Sequence, residues 1–155
     1  VKTHFEKPEY SPATTAAPSN PGLKATWHDF KGKTCSEIAA APVKKTYRVE
    51  DVTIPKGVKS FIIGLTYKGY INIPEDGIYS FYLSSDDGSM LYIDGKQVID
   101  NDGLHAPGEV TGQAALKQGY HPIEVQYFDH GGGSIHLKVC GNDGKEIPFT
   151  YLYAH

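Results

Sequence analysis

The sequence has few of the residues that build thiolate metal sites, long helices or membrane spans. It contains two cysteines, one methionine and one tryptophan among 155 residues, so a cysteine-rich metal site is excluded. Cys35 and Cys140 leave one disulfide or two free thiols as open alternatives. No apolar run approaches the roughly 18 to 20 residues that span a bilayer. The 15 lysines and arginines are scattered and the formal charge is -3, which argues against a nucleic-acid partner.

The sequence is instead rich in residues typical of short strands and tight turns. It contains 17 glycines, 10 prolines and 11 tyrosines. Tyrosine favours pleated surfaces, whereas glycine and proline interrupt regular structure. A chain of this length forms one domain with a real core. We therefore predict a single all-β domain.

The N-terminal stretch "VKTHFEKPEYSPATTAAPSNPG" has a different composition from the rest. Its four prolines and small polar residues predict an extended linker over residues 1–22, followed by the folded domain over 23–155. The chain begins at Val1 with no signal peptide, which we interpret as a processed chain or an excised fragment. Residues 23–55 lack clear periodicity and predict irregular strand and loop, with a short helical turn within 34–41.

The second half of the chain alternates between apolar and polar residues. "IYSFYL" (78–83) alternates strictly, as a half-buried strand does. "MLYIDGKQVI" (90–99) has two apolar arms around Asp94–Gly95, a strong hairpin signal. Segments 123–128 and 134–140 alternate as well. Short strands spaced by turns predict an antiparallel two-sheet β-sandwich or a flattened barrel, with little helix.

An acidic pair, Asp86 and Asp87, stands in "SSDDGSMLYIDG". Glycoside hydrolysis needs two carboxyl groups facing each other at about 5 to 9 Å, which adjacent residues on one strand do not provide. "HGGGS" (130–134) is similar to a lipase oxyanion motif, but the sequence has no Gly-x-Ser-x-Gly elbow. We therefore expect no catalytic residues in this domain.

The same pair suits a hard cation. Calcium takes six to eight oxygen ligands from carboxylates, carbonyls and water, and Asp129 with the carbonyls of Gly131 and Gly133 would add to the set. Neighbouring side chains on a regular strand point to opposite faces, so both acids reach one ion only through a kink or a cis peptide. The alternative is structural, with Asp86 capping backbone amides in a turn.

Three loops supply the predicted binding end of the sandwich: 84–89, 100–108 and 129–134. The metal ligands are predicted to be Asp86, Asp87, Asp129 and Gly131. Six further positions in the last two of these loops are predicted to bind a ligand: Asn101, Asp102, His105, His130, Gly132 and Gly133. For the acids and histidines among them, solvated or hydrogen-bonded loop positions are the competing interpretation.

Two stretches, "GYINIPEDGIYSFYLSSDDGSMLYIDGKQVIDNDG" (69–103) and "LKQGYHPIEVQYFDHGGGSIHLKV" (116–139), closely resemble the protective antigen 14-type (PA14) domain family. The resemblance implies a β-sandwich attached to bacterial glycosidases, adhesins, toxins or yeast lectins, usually as a carbohydrate-binding module. In the adhesin branch, two acids matching Asp86 and Asp87 are joined by a cis peptide and bind calcium, which contacts sugar hydroxyls. The late-loop ligands of that branch fall on Asp129, in place of an asparagine, and on the Gly131 carbonyl.

The resemblance is strongest to domains attached to β-N-acetylhexosaminidases. We therefore expect a non-catalytic carbohydrate-binding module of a secreted, periplasmic or cell-surface glycan-degrading enzyme, with calcium as its cofactor. Its expected partners are a glycan, such as one containing N-acetylhexosamine, and the catalytic domain of the parent protein. The alternative is a spacer or docking domain that positions a catalytic partner without binding sugar. A third hypothesis, an independent enzyme, has no assembled nucleophile, base and orienting group to support it.

Overall fold

The computed structural model describes residues 9–15, 20–59, 61–148 and 150–153, and within them the chain is almost entirely β-structure. One turn of 3-10 helix, Cys35–Glu37, lies within the predicted 34–41 turn. The strands are β1 (Asn20–Pro21), β2 (Leu23–His28), β3 (Val43–Val49), β4 (Ile63–Ile73), β5 (Gly77–Asp86), β6 (Ser89–Ile93), β7 (Lys96–Asn101), β8 (Gly108–Leu116), β9 (Gly119–Asp129), β10 (Ser134–Cys140) and β11 (Tyr151–Tyr153).

The strands form two antiparallel sheets, which confirms the predicted sandwich. The larger sheet has the order β1-β11-β4-β9-β6-β7, and β2 with β3 beyond it pairs with the remaining part of β4. The smaller sheet has the order β10-β5-β8. Within the part of the chain that the structure describes, no helix is long and apolar enough to cross a membrane.

The core lies between the two sheets and is built by alternating strands. In β5, Tyr79, Phe81 and Leu83 are at most 2% exposed, as the alternation predicts. They belong to one apolar cluster with inward-facing residues of β4 and β9. Burial of each large side chain contributes about 1.5 to 3 kcal/mol relative to exposure, so this layer holds the loop ends in register.

The predicted hairpin joins β6 to β7. Asp94 and Gly95 have φ angles of 54° and 74°, the left-handed values that a two-residue hairpin turn requires. Ile93 pairs with Lys96 directly across the turn. The Asp-Gly signal is thereby confirmed.

The region predicted as irregular, residues 23–55, contains two regular strands. β2 pairs along β3 and along β4. β3 has the sequence "VKKTYRV", and only Val49 is buried in it. An exposed edge strand rich in lysine and arginine shows no alternation of hydrophobicity, which is why the pattern did not reveal it.

A second, smaller apolar cluster lies on the outer face of the larger sheet. Phe30, Cys35 and Ile38, from the segment between β2 and β3, pack on Met90 and Phe128. Cys35 and Cys140 are both buried free thiols, so the disulfide alternative is not realised in this structure. The segment 29–42 therefore covers one part of this sheet face.

The predicted linker is described only in part, because residues 1–8 and 16–19 lie outside the described ranges. Where it is described, it is bound to the domain. The N–H of Ser11 donates to the Ala115 carbonyl at 2.9 Å and the N–H of Lys117 donates to the Ser11 carbonyl at 3.0 Å. Asn20–Pro21 forms β1 in the larger sheet. Residues 9–15 and 20–21 therefore pair with the domain although their composition is typical of an extended linker, because backbone pairing needs no apolar pattern.

Candidate functional site

Three strand ends bring the predicted carboxylates together. β5 ends at Asp86, β9 ends at Asp129, and Asp87 lies in the short connection to β6. The peptide bond between Asp86 and Asp87 is cis. One carboxylate oxygen from each of the three acids lies within 4.8 Å of the others. We call this set the acidic cluster.

Asp87 joins the two neighbouring loops through backbone hydrogen bonds. Its Oδ1 accepts the N–H of His105 at 3.3 Å, and its Oδ2 accepts the N–H of His130 at 2.9 Å. Its own N–H donates to the carbonyl of Phe128 at 3.1 Å. The predicted convergence of loops 84–89, 100–108 and 129–134 is therefore present, with Asp87 at its centre.

Asp129 is held by the glycine-rich turn that follows it. The N–H of Gly131 donates to Oδ1 at 3.0 Å, and the N–H of Gly133 donates to Oδ2 at 2.6 Å. Asp129 is 4% exposed. A Cβ on Gly133 would overlap the Asp86 carbonyl and press on the Asp129 carboxyl. The turn therefore needs glycine at 133 for the two strand ends to approach.

The acidic cluster is negatively charged and forms no ion pair with the other described residues. Among the described residues, no lysine, arginine or histidine nitrogen lies within ion-pair distance of its three carboxylates. Burial, followed by the charge of Asp87, raises the pKa of the Asp86 carboxyl. Tyr127 donates its hydroxyl to the Asp86 carbonyl at 2.9 Å, and burial, followed by the charges of the cluster, raises its pKa. The tyrosine therefore braces the cluster as a neutral donor.

His105 stands beside the cluster as a hydrogen-bonded ring. Its Nδ1 lies 2.7 Å from the carbonyl of Ala106 and its Nε2 lies 2.8 Å from the carbonyl of Asn101. Burial lowers its pKa, but these two bonds and the charges of Asp87 and Asp86 outweigh burial, so the net shift is upward. The ring is committed to two carbonyls, so only the backbone of His105 contacts the cluster directly.

Three other predicted ligand-binding side chains serve the fold. Asn101 is buried and its amide donates to the carbonyls of Leu83 and Gly108 and to Ser85 Oγ. Asp102 accepts the N–H of Cys35 at 2.8 Å. The ring of His130 contacts the carbonyl of Gly32 at 2.7 Å. The side chains of Asn101 and Asp102 thus join neighbouring segments of the fold through hydrogen bonds.

Gly132 lies at the tip of its turn with a φ of 71° and has open space around it. Two exposed apolar residues at this end of the sandwich were not predicted as site residues: Phe61, just before β4, and Leu104, within loop 100–108. They are 76% and 50% exposed. Neither belongs to an alternating segment, so periodicity gives no signal for them; an isolated apolar residue in a polar loop is the feature that identifies them.

A groove on the outer face of the larger sheet is chemically different from the acidic cluster. It has a volume of about 640 Å³ and is lined in part by Tyr70 and Tyr92. Its central acid, Glu124, lies 3.8 Å from the Lys68 ammonium and accepts Gln126 Nε2 at 2.7 Å. Glu124 therefore has a cationic partner within the chain, in contrast to the acids of the cluster, and Lys24 adds a second positive charge to the groove.

The fold and the cluster together define a β-sandwich module with an oxygen-rich site at its loop end. Residues 19–151 match the family model described as the PA14 domain. The chain belongs to the PA14 domain family, as the resemblance predicted, and this is a non-catalytic domain type.

Relatives and solved structures agree with this assignment. The chain is 36% identical over 77 residues to a β-hexosaminidase of Porphyromonas gingivalis, covering 49% of this chain and 9% of that protein. It is 41% identical over 68 residues to an α-agarase of Thalassotalea agarivorans, covering 44% of this chain and 4% of that protein. The chain thus spans less than a tenth of either relative. A PA14 sugar-binding domain from an RTX adhesin superposes with a TM-score of 0.74 at 17% identity, covering 88% of this chain and all of that one.

Proposed function

We propose that this domain is a non-catalytic carbohydrate-binding module of a secreted glycan-degrading enzyme, and that it binds saccharide through a calcium ion held by Asp86, Asp87 and Asp129. The convergence of these three carboxylates within 4.8 Å, without an ion-pair partner among the described residues, carries the proposal. Like charges brought together repel one another, and a divalent cation is the partner that turns this repulsion into attraction.

The donor set selects a hard cation. Every candidate side-chain ligand is a carboxylate oxygen, and calcium binds such oxygens in flexible arrangements of six to eight ligands at about 2.3 to 2.6 Å. The Gly131 carbonyl and water would complete the shell. Asp87 already accepts two backbone N–H groups, which fix its orientation toward the cluster. When bound, the cation would supply a positively charged centre that coordinates sugar hydroxyls.

Support for a saccharide ligand comes from the relatives. The superposed adhesin domain is described as sugar-binding, and both curated relatives are named as enzymes that act on saccharides. We propose glycans containing N-acetylhexosamine or agar-type galactose as ligands. The catalytic domain of the parent protein is the proposed covalent neighbour.

Calcium titration of the chelator-treated chain tests the metal. We expect binding by calorimetry and an upward shift of the unfolding temperature, since an ion present at about 100 times its dissociation constant stabilises the fold by about 2.7 kcal/mol. Asp87→Asn should abolish both effects. Asp143→Asn removes an equal charge from an exposed turn and should change neither. An unshifted unfolding temperature in wild type at millimolar calcium contradicts the proposal.

Saccharide binding is tested separately by titrating N-acetylglucosamine, galactose and agar oligosaccharides with calcium or with chelator. We expect weak affinity that disappears with chelator, since a shallow site makes few contacts to offset the cost of ordering a ligand. No detectable affinity at millimolar saccharide, with calcium bound, contradicts the carbohydrate part of the proposal.

One observation favours a second function, that of a spacer which positions a catalytic partner. The entering segment is fixed to the domain through Ser11 and Thr14, whose backbones pair with Ala115, Lys117 and Tyr120. Because this segment pairs with the domain, it has a fixed direction relative to the sandwich, as a spacer requires. Deleting residues 23–155 from the parent protein would then reduce turnover of long substrates, while the isolated domain binds none.

A further inference from the structure

Phe61 is the one aromatic residue among those described whose side chain lies mostly in solvent. It is 76% exposed, and an exposed phenylalanine contributes nothing to the core through its ring. Its position is defined by the fold, since it lies two residues before Ile63, which pairs with Asp129. The ring therefore stands at the same end of the sandwich as the acidic cluster.

The ring borders the turn that holds Asp129. Two of its carbons lie 3.0 Å from the point where a Cβ on Gly131 would stand, and the N–H of Gly131 donates to Asp129 Oδ1 at 3.0 Å. The absence of a side chain at Gly131 thus leaves the ring edge against the backbone of the turn. The backbone of Gly131 thus lies between the ring of Phe61 and the carboxylate of Asp129.

A second exposed apolar residue stands on the other loop that Asp87 holds. Leu104 is 50% exposed, and the next residue, His105, donates its N–H to Asp87 Oδ1 at 3.3 Å. Phe61 and Leu104 therefore each adjoin a residue whose backbone contacts the cluster, on two separate loops. Two of the four large apolar residues that are exposed in the described chain, Val43, Phe61, Ile78 and Leu104, adjoin this one site.

Apolar surfaces beside a hydroxyl-binding centre suit a ligand with both kinds of surface. A pyranose ring has a hydroxyl-bearing edge and a face of C–H groups, and an aromatic ring packs on such a face while burying apolar area. Building on the proposed function, we propose that Phe61 is the stacking platform of the saccharide site and that Leu104 forms its opposite wall. The ligand class is a pyranose with two adjacent hydroxyls on one edge and an unobstructed C–H face.

Substitution of Phe61 tests this assignment. N-acetylglucosamine and galactose are titrated into the calcium-loaded chain and its variants. We expect Phe61→Ala to weaken binding about tenfold, which corresponds to about 1.4 kcal/mol of lost packing, with calcium affinity unchanged. Phe61→Tyr keeps the ring and should restore affinity. Leu104→Ala should cost less, about threefold, because it loses a smaller surface.

Ile78→Ala is the matched control, since it removes an exposed apolar side chain where β5 begins, at the opposite end of the sandwich from Asp86, and should leave binding unchanged. The ring resonances of Phe61, assigned from the spectrum of Phe61→Leu, should shift as saccharide is added. Wild-type affinity in Phe61→Ala overturns the platform but leaves the proposed function standing. A wild-type chain that binds calcium and neither saccharide fails the carbohydrate function and the platform together.

Discussion

Aspartates at the two ends of β6 have opposite partners. Asp87 precedes the strand and belongs to the acidic cluster, whose oxygens meet backbone N–H groups. Asp94 follows the strand in the hairpin turn. It accepts the hydroxyl of Ser11 at 2.5 Å and faces Nδ1 of His121 at 2.9 Å. The same residue type thus forms a close pair with a histidine at one end and has no ion pair among the described residues at the other.

The pair of Asp94 and His121 stabilises the fold at the hairpin end of β6. His121 is 0% exposed, and its Nε2 lies 2.7 Å from the Lys117 carbonyl. Both ring nitrogens therefore have a hydrogen-bond partner within the chain. Through Ser11, the pair also fixes residues 9–15 to the domain. An aspartate paired with a histidine stabilises the fold. Carboxylates that lie close together without an ion pair repel one another, and a bound cation relieves that repulsion.

The largest effect should come from filling the turn at the cluster. Gly133→Ala places a methyl group on the Asp86 carbonyl, and overpacking of this kind costs about 3 kcal/mol. Denaturant unfolding measures the loss, and calcium binding should disappear with it. Gly132→Ala is the matched control: its Cβ meets open space, so only its positive φ costs about 1 kcal/mol. Equal losses in the two variants would contradict the close approach at 133.

A smaller effect is expected at the opposite end. Asp94→Asn keeps the shape of the side chain and tolerates the left-handed turn, but it removes the charge that faces buried His121. We expect the free energy of unfolding to fall by about 2 kcal/mol, with calcium affinity unchanged. Ser11→Ala, which removes one neutral partner, should cost about 1 kcal/mol. A stability equal to wild type in Asp94→Asn would show that the pair contributes nothing.

The sequence predicted the cluster better than the clasp of Ser11, Asp94 and His121, and sequence distance explains the difference. Asp86 and Asp87 are adjacent, and Asp129 ends a segment with a clear alternating pattern, so strand ends alone brought them into one prediction. The hairpin at Asp94 was likewise evident from local turn chemistry. Its partner Ser11 is 83 residues away in sequence, within a stretch whose composition is typical of a linker. No local pattern encodes such a contact.

Other differences have equally local reasons. β3 carries almost no buried side chains, so it lacks the alternation that reveals a strand. Asn101 was predicted as a ligand because loops rich in oxygen bind cations, yet its amide donates to carbonyls of β5 and β8. Phe61 was missed because it precedes its strand. Residue type predicts what a side chain is able to bind, and packing decides which partner it meets.

The smallest predicted effect has the opposite sign from the others. Burial and the neighbouring charges raise the pKa of Asp86, so its charged form is less stable in the folded chain than in the unfolded chain at neutral pH. Asp86→Asn should therefore increase the free energy of unfolding when calcium is removed by chelator, by less than about 1 kcal/mol because Asp86 is only partly buried and solvent screens its charge. In saturating calcium the order should reverse, because wild type gains the binding energy and the variant loses a ligand. Thermal unfolding of both proteins in both conditions measures the crossing. If the variant is less stable than wild type in chelator as well as in calcium, the prediction is wrong, and Asp86 stabilises the fold without a metal, as Asp94 does.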